Sequence, residues 1–162
     1  MAELWDAYDR AFNRIGNLTL VRREKLPEGV YHLCSEIVVK HTDGTFLLMQ
    51  RDYRKDRGGM WELTAGGSAL RGETPSECAV RELKEETGIA AAELTELCRI
   101  VQEDCQTLFV VFLCVSDCDK TGVTLQKGET AAYRWASREE IRNMREESAS
   151  PRALKMLLEN VF

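Results

Sequence analysis

The sequence predicts an α/β protein of the α+β kind, a mixed β-sheet sandwiched between helices in one domain spanning residues 1–162. Three observations carry that expectation. A chain of 162 residues supports one substantial core and is too short for two ordinary ones. Its apolar runs at 37–39, 46–48 and 108–115 are short and rich in β-branched and aromatic residues, as strands are. Helix-start signals at Thr74 and Ser137 alternate irregularly with those runs, which suits a mixed sheet rather than a repeated parallel unit.

In chain order, Trp5, Tyr8, Phe12 and Ile15 recur at helical spacing, so periodicity by itself favours a short amphipathic helix at the N-terminus. Residues 18–23 read as a strand, and Leu26, Pro27, Glu28 and Gly29 as a turn. Residues 32–40 and 45–50 make the clearest hairpin, with Asp43 and Gly44 at its turn. Arg51 ends the second of these strands. The polar loop 52–59 carries Arg54, Lys55 and Arg57, for which solvation is the plain reading. Residues 61–65 form a short strand leading into Gly66 and Gly67, where glycine lets the backbone turn sharply and come close to a ligand. Further on, 97–103 and 108–115 are strands, the latter apolar enough for burial on both faces. Residues 122–129 are a loop and 133–136 a last short strand. Ser137 and Glu140 form a capping box for a helix to about residue 147. A final helix opens at Ser150 and Pro151, with Leu154, Leu157, Leu158 and Val161 as its packing stripe. There is no internal repeat, low-complexity segment or linker.

The helix between these strands, residues 74–87, concentrates the chemistry. Thr74 is its N-cap, Pro75 its first residue, Glu77 the partner in a capping box, and Gly88 its stop. Ala79, Val80, Leu83 and Thr87 form an apolar stripe, whereas Glu82, Glu85 and Glu86 gather on a separate face. Those carboxylates repel one another, and Lys84 points away from them. A cation is expected there. Oxygen donors without His or Cys suit a hard divalent ion, and Mg2+ takes a few carboxylates while leaving positions to water and phosphate oxygens. Arg81, one turn before Glu85, is placed to orient it, and Glu73 to tie the preceding loop to the helix. A Glu-rich helix face alone is ordinarily just solvated. Here, however, Gly67, Glu73, Arg81, Glu82, Leu83, Glu85, Glu86, Gly88 and Ile89 fill nine fixed positions. Average residue usage gives a chance match on the order of one in ten million.

With that pattern the sequence resembles the Nudix hydrolase family, whose signature it matches at every position. The resemblance is strongest over 67–89, and weaker features extend over most of the chain. It implies the Nudix fold and Mg2+-dependent hydrolysis of a nucleoside diphosphate linked to another group, or a similar diphosphate, with Mn2+ as a substitute ion. It further implies Glu82, Glu85, Glu86 and the Gly66 carbonyl as metal ligands, with Glu82 and Glu85 also catalytic. Gly67, Glu73, Arg81 and Gly88 act as structural support. A further Glu on a late loop, before a strand containing Trp, serves as ligand or general base in several members. Glu129, six residues before Trp135, fits, with Glu103 and Asp104 as rivals. Arg51 matches a phosphate contact, and Arg54 is carried with it as a substrate-binding candidate. Many members have Pro before the paired glycines, whereas this chain has Ala65. Leu4 to Asp9 followed by Gly16 is similar to the opening of the branch related to isopentenyl-diphosphate isomerase. There the stretch is a strand and turn, so a hairpin over about residues 1–26 replaces the helix reading.

A net charge of -5 provides no basic footprint for a nucleic acid polymer, but it leaves room for a small phosphate ester held by local cations and a metal. The longest apolar run, 108–115, is too short to span a bilayer, and the acidic N-terminus lacks a signal-peptide pattern, so a cytoplasmic location is expected. Six cysteines without a CxxC pair, in a reducing compartment, read as free thiols. Homodimers are frequent in the family, and this chain inherits that expectation. Two other functions compete. An isomerase requires a cysteine acid/base near Gly66, yet no cysteine lies between Lys40 and Glu77. A sensing module that binds a metabolite without cleaving it usually has a degraded signature, whereas all three carboxylates remain here.

Overall fold

The computed structural model describes residues 2–91, 93–144, 155 and 159. The chain opens with a two-stranded antiparallel hairpin, β1 (Leu4–Tyr8) and β2 (Arg14–Val21). The helical spacing of Trp5, Tyr8, Phe12 and Ile15 is thus overridden, because alternate residues Trp5, Ala7 and Leu20 fill a small core of the hairpin's own. The main sheet contains β3 (His32–His41), β4 (Phe46–Arg51), β5 (Trp61–Glu62), β6 (Thr64–Ser68), β7 (Leu94–Gln102), β8 (Thr107–Ser116) and β9 (Thr130–Ala136). It is mixed: β3 runs parallel to β8, and every other pairing is antiparallel.

The 41–45 turn forms as expected, with Gly44 at φ 92°. The two strands it joins, however, share only the pair Lys40 with Phe46 before they separate. The stretch expected as one strand at 61–65 enters the gap as two. β5 pairs with β4 through Glu62 and Met49, then β6 pairs with β3 from Thr64 to Ser68. The sheet therefore has two arms, β6-β3-β8-β7 and β5-β4-β9, joined at one backbone pair.

Alternation along the central strands builds a core on each face. Ile37 and Val39 of β3, Leu47 and Met49 of β4, and Leu108, Val110 and Phe112 of β8 point to one side. There they meet Cys78, Ala79 and Leu83 of α1 (Pro75–Thr87). Val38, Phe46, Leu48 and Val111 point to the other, where Ile141 of α2 (Arg138–Asn143) covers them. Both helices begin with the capping boxes expected from the sequence, at Thr74 and Ser137. The expected continuation of α2 to about 147 and the stripe Leu154, Leu157, Leu158 and Val161 lie outside the described residues.

One correction concerns the buried stripe of α1. Val80 is 44% exposed, and Cys78 takes its place beside Ala79, Leu83 and Thr87. Leu83→Ala should therefore cost about 2–5 kcal/mol in urea unfolding, through lost burial and a residual cavity. Val80→Ala should stay within about 0.5 kcal/mol of the parent, since it exchanges an exposed β-branched residue for a better helix former.

Candidate active site

One cleft of about 440 Å³ collects residues from both sheet arms, α1 and the N-terminal hairpin. Seven glutamates (3, 36, 62, 82, 85, 86 and 129) line it against four basic side chains, Arg22, Arg51, Lys55 and Arg81. Thr74 and Gly88 fix the start and stop of α1, and so fix which side chains it turns toward the cleft. Gly88 at φ 75° closes the helix by donating its N–H to the Lys84 carbonyl, and a Cβ there would meet Thr124 Oγ1 at 2.3 Å.

Arg81, on the same helix, supplies a counter-charge to Glu82 and, at longer range, to Glu85. Its guanidinium donates to Glu73 from Nε at 2.6 Å and from Nη2 at 2.8 Å, and to Glu82 from Nη1 at 2.6 Å. It also reaches the Ser68 carbonyl at 3.1 Å, whereas Glu85 is a longer partner at 3.3 Å. The expectation that Arg81 orients Glu85 thus describes the longest of its carboxylate contacts. One Glu73 oxygen accepts from Leu70 N–H at 2.8 Å while both meet Arg81, which holds its carboxyl below the ordinary range. Gly67 leaves room for Glu82, whose carboxylate lies 2.6 Å from where a Cβ would stand. Gly66 is equally confined, since a Cβ would fall 2.2 Å from the Ser35 carbonyl.

Glu86 lies deepest of the three in electrostatic character. It accepts from Gly66 N–H at 3.0 Å. Burial is the main reason its carboxyl is lifted to about 8, with the charges of Glu82 and Glu62 adding to the rise and Gly66 and Lys55 opposing it. Burial raises Glu82 as well. Among the described residues no three carboxylates stand at the spacing of one ion's ligands. The guanidinium of Arg81 occupies the space between Glu82 and Glu85. The donor chemistry nevertheless fits a hard divalent cation: oxygen ligands in excess over cations, two of them with carboxyls raised by burial, beside the backbone of Gly66.

The opposite wall holds Arg51, where the sequence suggested a phosphate contact. Its Nη1 donates to Glu62 at 2.7 Å and its Nε to the Asp56 carbonyl at 2.9 Å. Arg54, the other substrate-binding candidate, does not line the cleft; it is 72% exposed and paired with Asp52. Lys55, read from sequence as a solvated loop residue, takes the inward position and forms an ion pair with Glu129. Glu129 lines the cleft, whereas Glu103 is bound to Arg10 and Tyr31 away from it. Asp104 does not line the cleft either.

Sequence reasoning missed Glu36, although a charge within the apolar run 33–39 of β3 was a signal. It also missed Glu3 and Arg22, which the hairpin carries to the cleft as a 2.7 Å ion pair. Cys34 matters more. The cysteine argument against an isomerase counted along the chain, but β3 sets Cys34 opposite Ser68 of β6, with its Sγ 3.5 Å from Ser68 Oγ on the cleft wall. Burial pushes that thiol up to about 12.

A family model described as the NUDIX domain matches residues 30–157. An uncharacterised Nudix hydrolase of Listeria monocytogenes is 32% identical over 146 residues, covering 88% of this chain and 85% of that protein. Among solved structures, a Deinococcus radiodurans protein superimposes with a TM-score of 0.72 at 15% identity, over 94% of this chain and 98% of that one. A bifunctional NMN adenylyltransferase/ADP ribose pyrophosphatase of Francisella tularensis, solved with AMP and a Mn ion, shares the fold. Its TM-score is 0.61 at 22% identity, over 80% of this chain and 41% of that one. The nine-position signature, the cleft it lines and the family match over most of the length together make this chain a member of the Nudix hydrolase family.

Proposed function

We propose that the protein is a Mg2+-dependent diphosphohydrolase acting on a small diphosphate compound, such as a nucleoside diphosphate linked to a second group, rather than on a nucleic acid polymer. The observation that carries this reading is the convergence of Glu82, Glu85, Glu86 and Gly66 on one wall of a cleft whose other wall presents Arg51 and Lys55. Bound Mg2+ would supply charge neutralisation for the diphosphate and would be held by those three carboxylates and the Gly66 carbonyl. Mn2+ meets the same donor set, and the Francisella protein of the same fold was solved with that ion.

The chain's own residues divide the remaining work. Arg51, fixed by Glu62 and Asp56, directs its guanidinium along the wall where phosphate oxygens would lie. In hydrolysis the water oxygen forms a new bond to phosphorus. The bridging P–O bond breaks, and its electron pair leaves with the departing phosphate. The water proton passes to a carboxylate, and the cleft-lining candidates are Glu129 of the loop and Glu82 or Glu85 of the helix.

The test is phosphate and nucleotide release from a panel of diphosphates with Mg2+, Mn2+ or chelator. Because Cys34 lies in the cleft, isopentenyl diphosphate belongs in that panel, with isomerised product assayed. Metal-dependent cleavage of one compound class is expected, and Glu86→Gln should lower its turnover by at least about two orders of magnitude while leaving the fold intact. Cleavage by Glu86→Gln at the parent rate would remove that residue from the mechanism. Binding throughout the panel without cleavage would identify a sensing module.

The raised carboxyl of Glu86 sets a second expectation, for the metal-free protein. Between the ordinary value of 4.5 and about 8 the folded chain keeps a proton that the unfolded chain releases, so stability falls as pH rises through that interval. Glu86→Gln carries no such proton. With chelator present it should match the parent near pH 5 and exceed it above pH 8 by about 1–3 kcal/mol, read from thermal melts across pH. A constant difference at all pH values would place the titration elsewhere.

A further inference from the structure

We infer that Lys55 is a positioning residue that keeps Glu129 occupied until a substrate phosphate draws the lysine away, so that diphosphate binding itself exposes the carboxylate that accepts the water proton. The inference rests on the diphosphate reading of the cleft.

Three observations support it. First, the Lys55–Glu129 pair joins two cleft-lining loops that are separate in sequence, 52–59 and 122–129. Backbone bonds hold both loops: Asp52 N–H donates to the Glu129 carbonyl at 2.9 Å, Lys55 N–H to the Asp52 carbonyl at 3.0 Å, and Thr124 N–H to the Thr87 carbonyl at the end of α1 at 2.9 Å. The side chains can therefore exchange partners without moving their loops. Second, Arg51 and Arg81, two of the other three cleft cations, are more heavily committed, while Arg22 has a single carboxylate partner as Lys55 does. Arg51 holds Glu62 and a carbonyl, Arg22 holds Glu3, and Arg81 holds Glu73, Glu82 and Glu85. Lys55 carries a compact charge on a flexible stem, and that charge also reaches Glu86 on the metal wall. Third, its pair with Glu129 is weak enough to yield. The side chains are 31% and 40% exposed, and an ion pair in such a setting contributes at most about 1 kcal/mol. A multiply charged phosphate beside a metal is the stronger partner for the ammonium.

A double-mutant cycle on ligand binding tests the exchange, with methylenediphosphonate, whose bridge is not hydrolysable, titrated calorimetrically in Mg2+. Glu129→Gln should bind it about two- to fivefold more tightly than the parent, because Lys55 no longer has a competing partner. Lys55→Met should bind more weakly, Lys55→Arg should stay close to the parent, and adding Glu129→Gln to Lys55→Met should give no further tightening. Melting curves for each variant establish that it is folded. If Glu129→Gln tightens binding equally with and without Lys55, the carboxylate merely repels phosphate, and the exchange is overturned. Unchanged affinity in Glu129→Gln overturns it too. Absence of binding by the parent in either Mg2+ or Mn2+ overturns the diphosphate reading itself and the exchange with it.

Discussion

A concentration of carboxyl groups on one helix face, held in place before any ion arrives, is the constraint on which the rest of the structure depends. Arg81 makes it tenable. One planar guanidinium meets Glu73, Glu82, Glu85 and the Ser68 carbonyl, so the loop entering α1, the strand before it and the helix face are fixed to one another. Glu86 lies beyond the reach of those bonds and depends instead on the Gly66 amide. The two glycines are required for different reasons. Gly67 leaves the space that the Glu82 carboxylate fills, and Gly66 brings its backbone against β3 so closely that no side chain would fit. The helix caps belong to the same arrangement, because a shift of one residue at Thr74 would rotate every carboxylate by about 100°.

How much was legible in the sequence depended on the distance over which each feature is specified. The caps of α1, the turn at Gly44 and the start of α2 are decided within four residues, and they appear in the structure as read. The positions of Glu82, Glu85 and Glu86 on one side of the helix follow from its period. Tertiary context defeated local reading in three places. Trp5 and Tyr8 have helical spacing but are taken into a hairpin, the 61–65 strand divides between two partners, and Val80 lies at the edge of the buried stripe.

The site was legible on the helix side and much less so on the other wall. A signature of nine spaced residues names Glu82, Glu85 and Glu86, but nothing local distinguishes Lys55 from Arg54, its neighbour on a polar loop. The backbone turn after Arg51 sends one outward to Asp52 and the other inward to Glu129. Cys34 illustrates the same limit. It is 32 residues from Gly66 in sequence, yet β3 and β6 lie side by side, so counting along the chain misjudged what surrounds the cleft. Glu3 and Arg22 reach it only because the N-terminal hairpin docks on the loop before α1, where Arg71 N–H donates to the Leu4 carbonyl at 2.8 Å and Gly72 N–H to Asp6 at 2.8 Å.

The single backbone pair between β3 and β4 has a consequence for how such a protein diversifies. The carboxylates belong to the arm that contains β3 and β6 and to the helix packed on it, whereas Arg51, Lys55, Glu62 and Glu129 belong to the other arm and its loops. Changes in loop 52–59 need not disturb the first arm, whereas loop 122–129 is tied to the end of α1 through Thr124 and Thr87. Selection can thus vary the residues of the second arm, Glu129 among them, while the carboxylates of α1 are kept. Sequences of this architecture accordingly declare their reaction far more openly than their substrate.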